Sequence, residues 1–170
     1  MKEYLVVDGY NVIYAWPELT KLSDTSLEHA RVKLVDMLAS HAAFSGQKIK
    51  VVFDAYQIKN LAERQEQVNG IEVLYTQQGE TADALIERIT GELTKLGSVH
   101  VVTSDWDEQR IIFGRGAYRM TPKELQEQVK KMRQKNMSAY TGSLPTEGYL
   151  ENRLSVSVRD VLEQLRRKKF

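Results

Sequence analysis

Aspartates stand where apolar runs end in this sequence, a placement suited to holding a metal ion. Of eight Asp, Asp8 closes the run EYLVVD and Asp54 closes KIKVVFD. Asp105 and Asp107 follow SVHVVT, and Asp83 falls in the first turn of the helix expected after GIEVLYT. In an open parallel α/β sheet, ligands bind outside the carboxyl ends of the strands, so these acids are expected to converge on one crevice. Glu80, three residues before Asp83, and Glu87, one turn after it, are expected on the same helix face. Facing carboxylates repel, and a cluster persists chiefly when a cation neutralises it or some members are protonated. Oxygen donors without His or Cys select Mg2+ or Mn2+. Each acid also has a structural reading. Asp8 and Asp54 can turn the chain, Ser104 with Asp107 resembles a capping box, and Glu80 and Asp83 suit the positive end of a helix dipole. That several junctions offer carboxylates to one edge favours the metal site.

The elements that must position these acids alternate along the chain. Strands are expected over Glu3 to Asp8, Lys48 to Asp54, Gly70 to Thr76 and Ser98 to Thr103. A helix capped by Ser26 is expected to run to Phe44 and stop at Gly46, and another to span Glu80 to Leu96. A short helix is expected over Asp105 to Phe113, one from Pro122 to about Met137 capped by Thr121, and one from Ser157 to Lys168. The polar stretch Gln57 to Asn69 has room for a short helix but is too poor in apolar residues to be core. Strands of nearly continuous apolar residues separated by helices mean a parallel sheet of about four to five strands with helices on both faces, an α/β three-layer fold. The expected organisation is one domain over residues 1–137, a flexible loop over 138–152 and a basic helix over 153–170 packed on or appended to that domain.

Composition narrows the chemistry. The 170 residues are 42% hydrophobic and 28% charged with three Pro, so the chain is expected to fold as a globule. No apolar run approaches the roughly 18 residues needed to span a bilayer, and the first ten residues lack the pattern of a signal peptide, so a cytoplasmic protein is expected. Absence of Cys excludes disulfides, thiolate nucleophiles and Cys-ligated metal, and three His leave little for histidine chemistry. His41 and His100 are read as packing or surface residues. Thr103 and Ser104 are read as capping or hydrogen-bonding groups, because no base stands in a motif with them.

The net charge of +1 conceals an asymmetry: residues 1–109 carry 10 Lys and Arg against 17 Asp and Glu, and residues 110–170 carry 14 against 6. From Arg110 to Lys135, eight cations face two Glu; they include Arg115, Arg119, Lys130 and Lys131. A basic segment beginning at the acidic rim suits a polyanion, with a solvated helical face as the alternative. Tyr10, Tyr14, Trp16, Tyr56 and Trp106 lie beside the acidic motifs, where they either stack on bases or pack on the sheet rim.

The motifs Val7 to Asn11 (VDGYN), Val52 to Ala55 (VFDA), Gly79 to Asp83 (GETAD), Thr103 to Trp106 (TSDW) and Phe113 to Ala117 (FGRGA) resemble, in order and spacing, the YacP-type NYN domains of the PIN-like nuclease superfamily over roughly residues 3–135. The resemblance implies a metal-dependent endoribonuclease, ribosome-associated and acting on mRNA. It makes Asp8, Asp83 and Asp105 the metal-binding acids and Asn11 the amide that orients the first acid or a substrate phosphate. Asp54, Glu80 and Asp107 become supporting acids. Two other functions fit parts of the sequence. A metal-dependent hydrolase of small phosphoesters would keep the acids without needing the basic segment, and a catalytically silent RNA- or ribosome-binding adaptor would keep the basic segment without metal.

Overall fold

The computed structural model describes residues 2–58, 65–104 and 116–142. The chain divides into two compact units, Met1–Met132 and Arg133–Phe170. The first is an α/β sandwich. Its elements run β1 (Lys2–Asp8), α1 (Gly9–Ala15), α2 (Pro17–Thr25), α3 (Leu27–Ser45), β2 (Lys48–Phe53), a 3-10 turn (Ala55–Gln57), β3 (Gln65–Val68), β4 (Ile71–Tyr75), α4 (Ala82–Leu93), β5 (Gly97–Val102), β6 (Tyr118–Met120) and α5 (Pro122–Gly142). Of the second unit, the structure describes residues 133–142, all helical.

The sheet order is β3-β4-β2-β1-β5-β6, parallel throughout except for the antiparallel β3–β4 pair. β1 lies between β2 and β5, with Asp8 level with Val52 and Val7 level with Val102. Its last five residues are all buried, as a strand covered on both faces requires. Strand alternation sends Leu5 and Val7 into a core with α1, α2, α3 and the first turns of α5, and Tyr4 and Val6 into a second core with Leu85, Ile86 and Leu93 of α4. The chain winds from β1 through β2 to β4, then crosses back over β1 to β5. The strand order therefore reverses beside β1, where Asp8 ends.

Helix ends follow the expected chemistry in several places. Ser26 accepts from the His29 amide at 3.3 Å to start α3, and Gly46, at φ 75°, ends it in the left-handed region. Thr121 and Glu124 form a reciprocal capping box at α5, with bonds of 3.1 and 3.3 Å. The sheet is wider than the four to five parallel strands expected. Gln65–Val68 is an antiparallel edge strand rather than helix, its polar residues suiting an edge that faces water, and three-residue β6 extends the other side. Helices α1 and α2 occupy a stretch for which no element was expected, and α5 runs on to Gly142 where a loop was expected from Ser138. The expected helices at Asp105 to Phe113 and Ser157 to Lys168, and the remainder of the expected loop, lie outside the described residues. None of the described helices is long and apolar enough to cross a membrane.

His41 is buried on α3, and that burial pushes its pKa below the ordinary 6.5. The folded protein thus resists a proton that the unfolded chain accepts, so this contribution to stability is lost as pH falls below about 6.5 and is constant above it. The unfolding temperature is expected to fall between pH 7.5 and 5.5, and His41→Gln is expected to narrow the difference. An equal drop in both proteins would remove His41 as a source.

Candidate active site

Asp8 is built into the rim twice over. Its backbone ends β1, and its side chain caps α1 by accepting from the Asn11 amide at 3.5 Å. Its other oxygen accepts from Asn11 Nδ2 at 2.6 Å, and the residue is only 5% exposed. Asn11 Oδ1 in turn accepts from the Ser104 hydroxyl, just beyond β5. The amide therefore has one possible orientation, with Nδ2 toward the carboxylate and Oδ1 toward the hydroxyl. This chain of contacts spans the reversal point between β1 and β5, the place where an open α/β sheet binds its ligand.

Asp83 is the second residue of α4, following the cap Thr81, whose hydroxyl accepts from the Ala84 amide at 3.1 Å. α4 begins at the carboxyl edge of the sheet and packs on the face toward which Val6 points. Asp8, at the end of β1, and Asp83, in the first turn of α4, both lie at the carboxyl edge of the sheet. Glu80 differs from the expected helical position. It precedes the helix and clasps it, pairing with Arg88 Nη1 at 2.8 Å and accepting from the Gln77 amide at 3.4 Å. Asp54 follows β2 and starts the 3-10 turn, accepting from the Tyr56 amide at 2.9 Å and from Thr76 Oγ1 at 3.5 Å. Asp54 and Glu80 line a cleft of about 530 Å³ between that turn and the loop before α4, and Asp54 follows the strand next to β1.

Asp105, Asp107, Arg110 and Arg115 lie outside the described residues. Among the described residues, no group of three His, Asp or Glu is gathered closely enough to hold an ion. Asp8 and Asp83 are hard oxygen donors of the kind divalent cations take. Such ions take one or two carboxylates, keep several waters and complete their shells with phosphate oxygens. Arg119 is exposed on β6, and Lys130 and Lys131 are exposed on α5.

The aromatic residues separate clearly. Trp16 is fully buried and donates to the Pro122 carbonyl at 2.8 Å. Tyr10 packs edge-on against Phe53, its hydroxyl accepts from Arg31 at 3.2 Å, and burial raises its pKa. Those two are core residues, whereas Tyr14 is half exposed and Tyr56 is 94% exposed. Trp106 lies outside the described residues. Sequence reasoning passed over Thr76, which receives the Ala55 amide at 2.9 Å and ties the turn after β2 to the end of β4. Ser104, read as a capping or hydrogen-bonding group, donates its hydroxyl to Asn11, and the helix it was expected to cap lies outside the described residues.

Comparison with known proteins agrees with this architecture. Residues 5–167 match the family described as YacP-like NYN domain. A Bacillus subtilis (strain 168) protein named "Uncharacterized protein YacP" is 41% identical over 128 residues, 75% of each chain. A crystal structure of Rae1 (YacP) from Bacillus subtilis superposes with a TM-score of 0.72 at 35% identity, covering 96% of this chain and 94% of that one. A mutant form of the same protein gives 0.69 at 35% identity, covering 84% of each.

Proposed function

The chain belongs to the YacP-like NYN domain family, a nuclease family whose domains generally depend on divalent metal, and we propose that it is an endoribonuclease that cuts single-stranded RNA, mRNA in a ribosome-associated setting, with Mg2+ or Mn2+. The observation that carries the reading is the buried carboxylate of Asp8, fixed by Asn11 and Ser104 at the reversal point of the sheet. Asp8, Asp83 and Asp105 are the proposed metal-holding residues. When bound, a divalent ion supplies acidified water and neutralises charge on the phosphodiester. The protein's part is positioning. Asn11 keeps the Asp8 carboxylate in one orientation, the carboxylate holds the amide with Nδ2 toward it, and Ser104 donates to the remaining Oδ1. A preset geometry lowers the entropy cost of reaching the reactive arrangement. No side-chain nucleophile is required.

The decisive experiment is incubation of purified protein with single-stranded RNA and with translating ribosomes, each in Mg2+, Mn2+ or EDTA. Internal cuts with either metal and none in EDTA are expected. Hydrolysis of small phosphoesters without RNA cleavage would overturn the reading, as would RNA binding with no cleavage under any condition.

Asn11→Ala is expected to lower the cleavage rate about tenfold to a hundredfold, because Asp8 loses its Nδ2 donor and the link to Ser104 while keeping the amide that it caps. Ser104→Ala should act in the same direction and more weakly. Unaltered turnover in Asn11→Ala would dissociate the amide from the chemistry.

Arg115, Arg119, Lys130 and Lys131 are proposed to guide RNA phosphates. Replacing all four by Gln should weaken RNA binding several-fold and flatten the fall of log K with log salt, by roughly 0.7 for each lost phosphate contact. Turnover at saturating RNA should stay near wild type, since these contacts serve ground and transition states alike. An unchanged salt slope and affinity would make the segment an ordinary solvated face.

A further inference from the structure

Tyr56 is 94% exposed, yet its backbone is among the better-anchored parts of the rim. Asp54 accepts its amide at 2.9 Å, Thr76 Oγ1 accepts the Ala55 amide at 2.9 Å, and the Ile58 amide donates to the Ala55 carbonyl at 3.0 Å. An aromatic ring held out on a pinned turn gives up area to water that burial would recover, and little backbone entropy remains to be lost when something covers it. The ring stands at the cleft of about 530 Å³, within the volume range of small-molecule sites. Opposite it, the loop before α4 presents Gln77 and Gln78, both exposed, and Glu80, which Arg88 holds in place.

We propose that this cleft is a nucleobase subsite, in which one base of the RNA stacks on Tyr56 and bases carrying an exocyclic amino group are preferred over uracil. The inference rests on the nuclease reading and deepens it. A phosphate is a poor occupant, because Asp54 and Glu80 would repel it. A neutral base is not repelled. Its π-face suits the tyrosine, and its edge suits the Gln amides. The preference follows from Asp54: Oδ1 is taken by the turn, which leaves Oδ2 as a carboxylate acceptor for an amino donor. Uracil offers a carbonyl at the position where cytosine offers its amino group. The cleft also lies in line with the site. Asp54 leaves β2 two residues after Val52, the partner of Asp8, and neighbouring strands are roughly 5 Å apart, so a chain crossing Asp8 has an adjacent nucleotide within reach of Tyr56.

The test measures binding of C6 and U6 RNA hexamers to the full chain in EDTA, with salt titrations. Wild type is expected to bind C6 more tightly than U6. Tyr56→Ala should weaken C6 about fivefold to a hundredfold, the range of one lost base–aromatic stack, with the salt slope unchanged because no phosphate contact is lost. Tyr56→Phe should bind within about twofold of wild type, and Asp54→Asn, which still receives the Tyr56 amide, should bring C6 and U6 together. C6 binding by Tyr56→Ala equal to wild type overturns the subsite, and equal binding of C6 and U6 by wild type overturns the preference. If wild type neither binds nor cuts RNA, the nuclease reading falls and the subsite with it, an outcome separable from the others because it appears before any substitution is made.

Discussion

Asp8→Asn is expected to reduce RNA cleavage by about a thousandfold or more while leaving the fold in place. The two effects separate because the residue has two jobs. As a helix cap, Asn is as good as Asp, and its oxygen can still accept the Asn11 amide. As a carboxylate, it has no substitute. The variant loses the charge that would hold a divalent ion, and Asn11 Nδ2 now faces an amide instead of an acceptor with full negative charge. Losing that charged hydrogen bond costs roughly 1.5 to 3 kcal/mol, and relief of repulsion from neighbouring acids works in the opposite direction. The net change should be a few degrees in unfolding temperature at most. Asp83→Asn and Asp105→Asn are expected to show the same split. Thermal unfolding without metal, beside a cleavage assay in Mg2+, reads both quantities. A large loss of stability in all three variants would make these acids structural caps.

Phe53→Ala is expected to lower stability by about 3 to 5 kcal/mol, the range for removing a buried phenyl ring. Phe53 is 1% exposed, meets Tyr10 edge-on at 5.2 Å between centroids and stacks on Tyr75 at 6.1 Å. For a chain of this length the loss amounts to roughly 6 to 20 °C in unfolding temperature. The ring also explains why glycine follows Asp8, since a Cβ at Gly9 would collide with the Phe53 ring carbons. Gly9→Ala alone should therefore cost about 1 to 3 kcal/mol by overpacking. Combining it with Phe53→Leu should cost less than the two single changes together, because the smaller side chain makes room. Strict additivity in that double-mutant cycle would show that the crowding is relieved elsewhere.

Periodicity and punctuation made much of this architecture legible. β1, β2, β4 and β5 are apolar runs, α3 and α5 carry the caps Ser26 and Thr121 that sequence alone displays, and α4 shows its apolar face. α1 and α2 escaped because each is short and α1 begins at Gly9, directly after the strand whose last residue, Asp8, caps it. β3 escaped because an edge strand exposed to water need not be apolar, and β6 because three residues carry no period. At the rim, residue type revealed that acids end the strands, but not which acids keep company. Asn11 and Ser104 are 93 positions apart, and Glu80 reaches Arg88 across a helix start that lies two residues later than expected. The first pairing is set by strand order, which no local pattern encodes, and the second by where α4 begins.

The central position of β1 also dictates when the protein can become itself during synthesis. β1 pairs on both sides, and its second neighbour, β5, begins only at Gly97. Trp16 awaits the carbonyl of Pro122, 106 positions later. At translation rates of about 5 to 20 residues per second, that interval leaves the amino-terminal third of the chain incompletely paired for roughly 5 to 20 seconds. Contacts of such separation also fold slowly, since loop closure must precede the contacts that stabilise it. The Asp8, Asn11 and Ser104 constellation therefore does not exist in a nascent chain that has yet to reach Ser104, and whatever depends on it waits until β5 has been made.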